Sequence, residues 1–281
     1  MERLTEGEAI RRWTRARRAE GKRVGFVPTM GNLHAGHLSL VALAREHADV
    51  VVASIYVNPT QFDRKDDLAA YPRTLEADAA LLEGAGVDAL FAPANLYPYG
   101  EEAHTTWVDV DELTKELCGA TRPGHFRGVT TVVAKLFHLV APDVAVFGDK
   151  DFQQRRVIER MVRDLDFGIA IVPGPIVREA DGLAMSSRNS RLGADARARA
   201  VAISRALGEA RAAVSAGERD GRALEGAVRA MIEAAGGRVD YVELVDEETL
   251  SPAAELVAPS ILAVAAFFDG VRLIDNARLA P

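Results

Sequence analysis

The 281-residue chain has a single cysteine, Cys118. No disulfide framework can form within it, and one thiol cannot build a thiolate zinc site. A chain without disulfides suits a reducing compartment, so a cytoplasmic location is expected. No apolar run is long enough to span a bilayer, and no membrane partner is expected. The first eight residues, Met1 to Glu8, are polar and acidic, which is not how a secretory signal begins. Excess positive charge is also missing. The 41 acidic residues outnumber the 34 basic ones, giving a formal net charge of −7. A general nucleic-acid binder ordinarily shows a basic face, so no nucleic-acid partner is expected. An anionic small ligand stays open, because a pocket can be locally positive inside an acidic protein. There are no internal repeats and no low-complexity segments.

What is present is ordinary globular material, 48% apolar and 27% charged. The length allows one large domain or two modest ones. Thr5 to Glu20 reads as a helix, with Thr5 and Glu8 at capping-box spacing and Gly21 as a stop. Short apolar runs then alternate with helical periods. Val24 to Val27, Val50 to Val57, Ala89 to Phe91, Val144 to Phe147 and Ile169 to Val172 read as buried strands. Gly36 to His47, Thr74 to Gly84, Val129 to Val140 and Phe152 to Leu165 read as helices. This alternation predicts an α/β fold, a Rossmann-like doubly wound parallel sheet with helices on both faces. After Asn189 the texture changes. Two Ala/Arg-rich helices, Ala194 to Ala216 and Ala223 to Ala235, precede strands at Val239 to Val245, Ile261 to Phe268 and Val271 to Asp275. Asp269-Gly270 between the last two is a strong hairpin signal. The expected organisation is a first domain over residues 1–180 and a small C-terminal α+β domain over 181–281.

Four segments carry candidate chemistry. Pro28-Thr29-Met30-Gly31-Asn32-Leu33-His34-Ala35-Gly36-His37 leaves the first of these strands and enters a helix. Ligands of open parallel sheets bind at the carboxyl ends of strands. Gly31 and Gly36 allow close backbone approach, and the helix end offers N–H groups suited to phosphate. His34 and His37, three apart, share a helix face and can stabilise phosphoryl oxygens; the same spacing can also cap, pack or bind a metal. Asn58-Pro59-Thr60-Gln61-Phe62 follows the second of these strands, and Gln61 carries both a donor and an acceptor. Phe147-Gly148-Asp149-Lys150-Asp151-Phe152-Gln153-Gln154 again runs from strand end to helix. Lys150 can reach phosphate, Asp151 can cap the helix, and Gln154 sits one turn in. Ala184-Met185-Ser186-Ser187-Arg188-Asn189 offers two hydroxyls and a guanidinium, as a phosphate grip or a polar hinge. Arg122 lies in a further basic segment, as an anion contact or a surface charge.

In this order these pieces resemble the pantothenate synthetase (pantoate–β-alanine ligase) family. Pro28 to His37 is similar to that family's nucleotidylyl-transferase signature. Met185 to Arg188 is similar to the flexible lysine-serine loop of class I tRNA synthetases. The resemblance runs from the first strand to about Asn276. It implies an ATP-dependent ligase joining pantoate and β-alanine through an adenylate, with Mg2+ bridging the phosphates largely through substrate oxygens. It implies catalytic roles for His37 (general acid), His34, Lys150 and Arg188. It places ATP against Met30, Gly31, Asn32, Leu33, His34, Ala35, Gly36 and His37, and against Gly148, Asp149, Lys150, Asp151, Val177, Met185, Ser186, Ser187 and Arg188. It assigns pantoate and β-alanine to Gln61, Gln154, Asn58, Tyr71 and Arg122. No dedicated protein metal ligand is assigned; Asp78, beside Ala77, matches only half of an acidic pair. Asp149 stands where a glutamate is expected. A homodimer is implied by the resemblance alone. The alternatives are a nucleotidylyltransferase for another small substrate and a nucleotide-binding module without turnover.

Overall fold

A computed structural model describes residues 1–63, 65–97, 100 and 103–281. The described chain forms two compact units. Met1–Asp111, Arg122–Asp149 and Gln154–Pro175 make the first, and Glu112–Thr121, Lys150–Gln153 and Ile176–Pro281 the second.

The first unit is built on a six-stranded sheet. Its strands are β1 (Glu2–Leu4), β2 (Val24–Thr29), β3 (Val50–Ile55), β4 (Ala89–Phe91), β5 (Val144–Gly148) and β6 (Ala170–Gly174). They lie in the order β1-β4-β3-β2-β5-β6, every neighbouring pair parallel. The helices are α1 (Gly7–Ala19), α2 (Ala35–His47), α3 (Lys65–Ala69), α4 (Leu75–Gly84), α5 (Cys118–Thr121), α6 (His125–Val140) and α7 (Phe152–Asp164). α5 falls in the second unit and the opening residues of α7 do too. The apolar strands fill one core: Val27, Val51, Ala53, Leu90 and Val146 pack with Val41, Ala44 and Leu82 from α2 and α4. α6 is buried along most of its length from Phe126 to Val140, with Arg127 and His138 on its one exposed stripe.

The chain leaves β2 toward β3 on one side and β5 toward β6 on the other. The adjacent pair β2/β5 is therefore the switch point, where such sheets place their ligands. Pairing between these two strands is confined to Gly25 with Val144 and Phe26 with Ala145. Pro28 lies beyond it. The Thr29 carbonyl points to β3, accepting from Tyr56 N–H, and Val24 points to β5. Pro28 shares the side of Val24, so its missing N–H falls where the β5 ladder has already ended and costs no sheet bond.

The second unit holds the antiparallel sheet β7-β8-β9, with β7 (Arg238–Asp246), β8 (Ser260–Phe268) and β9 (Val271–Leu279). α8 (Ala194–Ala200), α9 (Ala202–Ser215) and α10 (Gly221–Ala234) complete it. Ile203, Leu207, Val228 and Ile232 meet Leu244, Leu262, Val264 and Phe268 in its core. Asp269 (φ 47°) and Gly270 (φ 80°) make the left-handed two-residue turn of the β8–β9 hairpin.

The fold class is as the sequence predicts, with local differences. α1 starts at Gly7 with Glu6 as its cap residue and no side-chain cap bond, so the Thr5/Glu8 capping box does not form. The cause is β1: Glu2–Leu4 is held extended against β4, with Leu4 accepting from Ala92 N–H, which delays the helix. α6 begins at His125, four residues before the expected Val129, behind the left-handed Gly124. The first of the two Ala/Arg-rich helices breaks at Val201 into α8 and α9. β9 runs on to Leu279, because Asp275 and Asn276 find polar partners inside the unit.

Candidate active site

Pro28 to His37 turns from β2 into α2 through two left-handed residues, Gly31 (φ 82°) and Asn32 (φ 51°). Asp78 on α4, 2% exposed, holds this turn. It accepts the N–H groups of Asn32 (2.9 Å) and Leu33 (2.8 Å) and the Thr74 hydroxyl (3.0 Å). A Cβ on Gly31 would come 2.9 Å from Asp78 Oδ2, so a glycine is required for space as well as for φ.

His34 then caps α2. Its Nδ1 accepts from Gly36 N–H at 3.2 Å, and its own N–H donates to His37 Nδ1 at 3.3 Å. This is a capping box made of two imidazoles, with ring centroids 4.1 Å apart. The sequence suggests that the helix end itself supplies open N–H groups. The structure commits those of His34, Gly36 and His37 to the protein, the last bonding to the His34 carbonyl. The chemical consequence lies in the rings. With both Nδ1 atoms accepting, each neutral imidazole carries its proton on Nε2. The motif therefore presents two Nε2–H donors fixed by the backbone itself.

Beyond β3, the 3₁₀ turn Pro59–Gln61 is tied to α6. Asn58, 1% exposed, donates to Gln61 Oε1 (3.0 Å) and to the Gly128 carbonyl (3.1 Å). Gln61 Nε2 lies 3.2 Å from Met30 Sδ, which links this turn to the β2–α2 motif. Arg122 pairs with Asp63 through Nε (3.1 Å) and Nη2 (3.0 Å). Burial works to raise the Asp63 carboxyl, but the Arg122 guanidinium outweighs it and holds the carboxyl below its usual range. Tyr71 is buried edge-on to Phe62, centroids 5.7 Å apart. A pocket of about 200 Å³ opens here, with Gln61, Asp63, Trp107, His125 and Arg127 in its wall.

At the end of β5, Gly148 is followed by Asp149, whose carboxylate receives Arg155 Nε at 2.5 Å. Lys150 Nζ lies 3.3 Å from Asp151, just ahead of α7. The neighbouring glutamines diverge. Gln154 is half-buried on the first turn of α7 within the first unit. Gln153 is buried in the second unit, accepting from Cys118 N–H and donating to the Leu113 and Glu116 carbonyls.

In the second unit the Val177 carbonyl accepts from Met185 N–H at 2.9 Å, closing a short antiparallel bridge between Arg178 and Ala184. Gly182 (φ 97°) makes its turn. Ser186 caps the 3₁₀ segment Ser187–Arg191, its Oγ accepting from Arg188 N–H at 3.2 Å. Arg178 anchors the bridge by a two-pronged pair with buried Asp275, at 2.7 and 3.0 Å. Arg197 holds Glu179 and Asp181 from the other side, at 2.7 to 3.1 Å.

The sequence model of the pantoate–beta-alanine ligase family matches residues 2–278. The chain belongs to that family. It is 54% identical to the pantothenate synthetase of Anaeromyxobacter dehalogenans (strain 2CP-C), over 98% of both chains. It is 48% identical to the pantoate–beta-alanine ligase of Oryza sativa subsp. japonica, over 97% of this chain and 95% of that one. Among solved structures it is similar to the pantothenate synthetase of Thermus thermophilus, with a TM-score of 0.93 and 45% identity over the whole of both chains. It is also similar to the pantoate–beta-alanine ligase of Francisella tularensis complexed with beta-gamma ATP and beta-alanine, with a TM-score of 0.82, 31% identity, and 99% and 97% coverage.

Within this ligase-family fold, the first unit brings Met30, Asn58 and Gln61 together by hydrogen bonds, and His34 with His37. Lys150, Asp151, Val177 and Met185 to Arg188 lie in the second unit. Two residues of consequence carry no local sequence signal. Asp78 fixes the turn before His34, and His125 fixes the main chain of Gln61, its Nδ1 lying 2.8 Å from the Gln61 carbonyl. Each acts on a segment more than forty residues away in the chain.

Proposed function

We propose that this chain joins pantoate and β-alanine at the expense of ATP, through pantoyl adenylate. A pantoate carboxylate oxygen attacks the α-phosphorus, and the bond to the bridging oxygen breaks, releasing pyrophosphate. The β-alanine amine then attacks the acyl carbon. The carbon–oxygen bond to phosphate breaks, AMP leaves, and the amine loses a proton as the amide forms. A carboxylate is a poor acylating agent and the mixed anhydride a good one, which is why the nucleotide is needed. The first step brings anions together and needs donors aimed at the phosphoryl oxygens.

The observation that carries this reading is the two-histidine cap, whose backbone bonds turn both Nε2–H groups into donors. His34 and His37 are assigned to the transferring phosphate, His37 as the general acid. Lys150, Ser186, Ser187 and Arg188 are assigned to phosphate, and Met30 to Gly36, Gly148 to Asp151, Val177 and Met185 to the nucleotide. Gln61, Gln154, Asn58, Tyr71 and Arg122 are assigned to pantoate and β-alanine. Magnesium is read as part of the nucleotide substrate. Asp78, the acidic residue nearest the family's expected ligand pair, has both oxygens committed to backbone N–H groups and is given no metal. A homodimer and a cytoplasmic location accompany the reading. No described helix is long and apolar enough to cross a membrane.

The test follows pyrophosphate release from ATP with pantoate alone, then AMP and pantothenate after β-alanine is added, for wild type and His37→Ala. Release that needs pantoate, an amide that needs β-alanine and a large loss in the variant support the assignment. ATP binding without turnover on pantoate rejects it.

A further inference from the structure

His125 has no part in the reaction above, yet it is bonded to the main chain of a residue that binds its substrate. The Gln61 carbonyl lies 2.8 Å from His125 Nδ1 and 3.2 Å from Arg122 Nη2. A carbonyl oxygen only accepts, so Nδ1 carries the imidazole proton and Nε2 is left as an acceptor. Arg122 Nη1 lies 3.2 Å from that Nε2. Arg122 is in turn held by Asp63. The tautomer is the opposite of the one imposed on His34 and His37.

The side-chain end of Gln61 is fixed as firmly. Asn58 Oδ1 receives the hydroxyls of Thr60 and Tyr97, each at 3.0 Å, which sets the orientation of the Asn58 amide. Its Nδ2 is then the donor to Gln61 Oε1. With Oε1 committed, the N–H end of Gln61 faces Met30 and the β2–α2 motif. α6 also presses on this turn by backbone alone: a Cβ on Gly128 would lie 2.8 Å from Gln61 N.

We propose that His125 is a positioning residue for Gln61. By holding the main chain it keeps the amide within reach of Asn58, so that Gln61 meets the hydroxy acid as a donor to a substrate oxygen. This rests on the assignment of Gln61 to pantoate.

The experiment measures KM for pantoate, KM for ATP, kcat and thermal stability for Gln61→Ala, His125→Phe, His125→Asn and His125→Gln. Asparagine puts an N–H near the Nδ1 position and glutamine near Nε2. Loss of the bond in His125→Phe should raise the pantoate KM about five- to tenfold, the worth of one hydrogen bond. The KM for ATP should stay put, and His125→Asn should recover most of the loss while His125→Gln does not. An unchanged pantoate KM in His125→Phe, with Gln61→Ala impaired, overturns the proposal alone. So do equal losses in the asparagine and glutamine variants, a comparison that stands even where the phenylalanine variant does not fold. A silent Gln61→Ala overturns the assignment of Gln61 together with the proposal.

Discussion

Asp78→Asn separates a structural carboxylate from a metal ligand. Asp78 is 2% exposed and accepts three hydrogen bonds, two of them from the backbone of the motif that leads into His34. Asparagine keeps one acceptor oxygen but turns an NH2 group toward N–H or O–H donors on the other side. At least one charge-assisted bond is lost, worth about 1.5–3 kcal/mol, and a buried N–H is stranded beside it. Partial relaxation of the turn offsets some of that, so a net loss of about 2–4 kcal/mol is expected. The turn includes Asn32 at φ 51°, whose N–H is held by Asp78, so losing that bond frees the turn to move away from the active geometry. The midpoint of urea unfolding should therefore fall, and the KM for ATP should rise. The apparent affinity for Mg2+, titrated at saturating ATP, should not change. A variant of wild-type stability with a weakened Mg2+ dependence would refute the reasoning and make Asp78 a ligand.

His34→Asn should keep the helix cap, since asparagine caps well, and so keep stability within about 1 kcal/mol. It removes the Nε2–H, and pyrophosphate release with pantoate should fall about a hundredfold or more, as when one preorganised donor is lost. Gly128→Ala forces a Cβ against the Thr60 carbonyl and Gln61 N, both backbone, so the turn must move. Denaturant unfolding should show a cost of about 1–3 kcal/mol, with a raised pantoate KM. Glu243 on β7 is raised above its usual range, first by burial and then by Glu116 and Glu225, and its Oε2 lacks a partner among the described residues. An acid raised on folding favours the protonated native state, so stability is fullest below the unfolded carboxyl value and is lost as pH rises through the folded one. Glu243→Gln should flatten that slope above about pH 4.3 and gain stability at pH 7 relative to wild type; an unchanged pH profile would count against it.

The readable part of the fold was the part written in local patterns. The apolar runs of β2, β3 and β5, the helical periods between them and the Asp269-Gly270 turn each carry their own signal, and the parallel sheet follows from their alternation. β1 was invisible because Glu2-Arg3-Leu4 has no strand pattern and is made a strand only by the open edge of β4. The same distinction divides the site. The histidines, glutamines, Lys150 and the Met185 to Arg188 loop stand in motifs whose order is informative. The groups that orient them do not. Asp78 is an acid on an ordinary helix until α4 packs against Asn32, and Gln153 and Gln154 look alike until the helix turns one to Cys118. The two-histidine cap shows why this matters for chemistry. A His-x-x-His spacing is equally compatible with a metal, a cap or a phosphate grip. What decides among them is which ring nitrogen the backbone has already taken, and here it has taken Nδ1 in both. That leaves each neutral ring as a donor at Nε2, which would suit a developing phosphoryl charge, so the cap is compatible with the phosphate role proposed for these histidines.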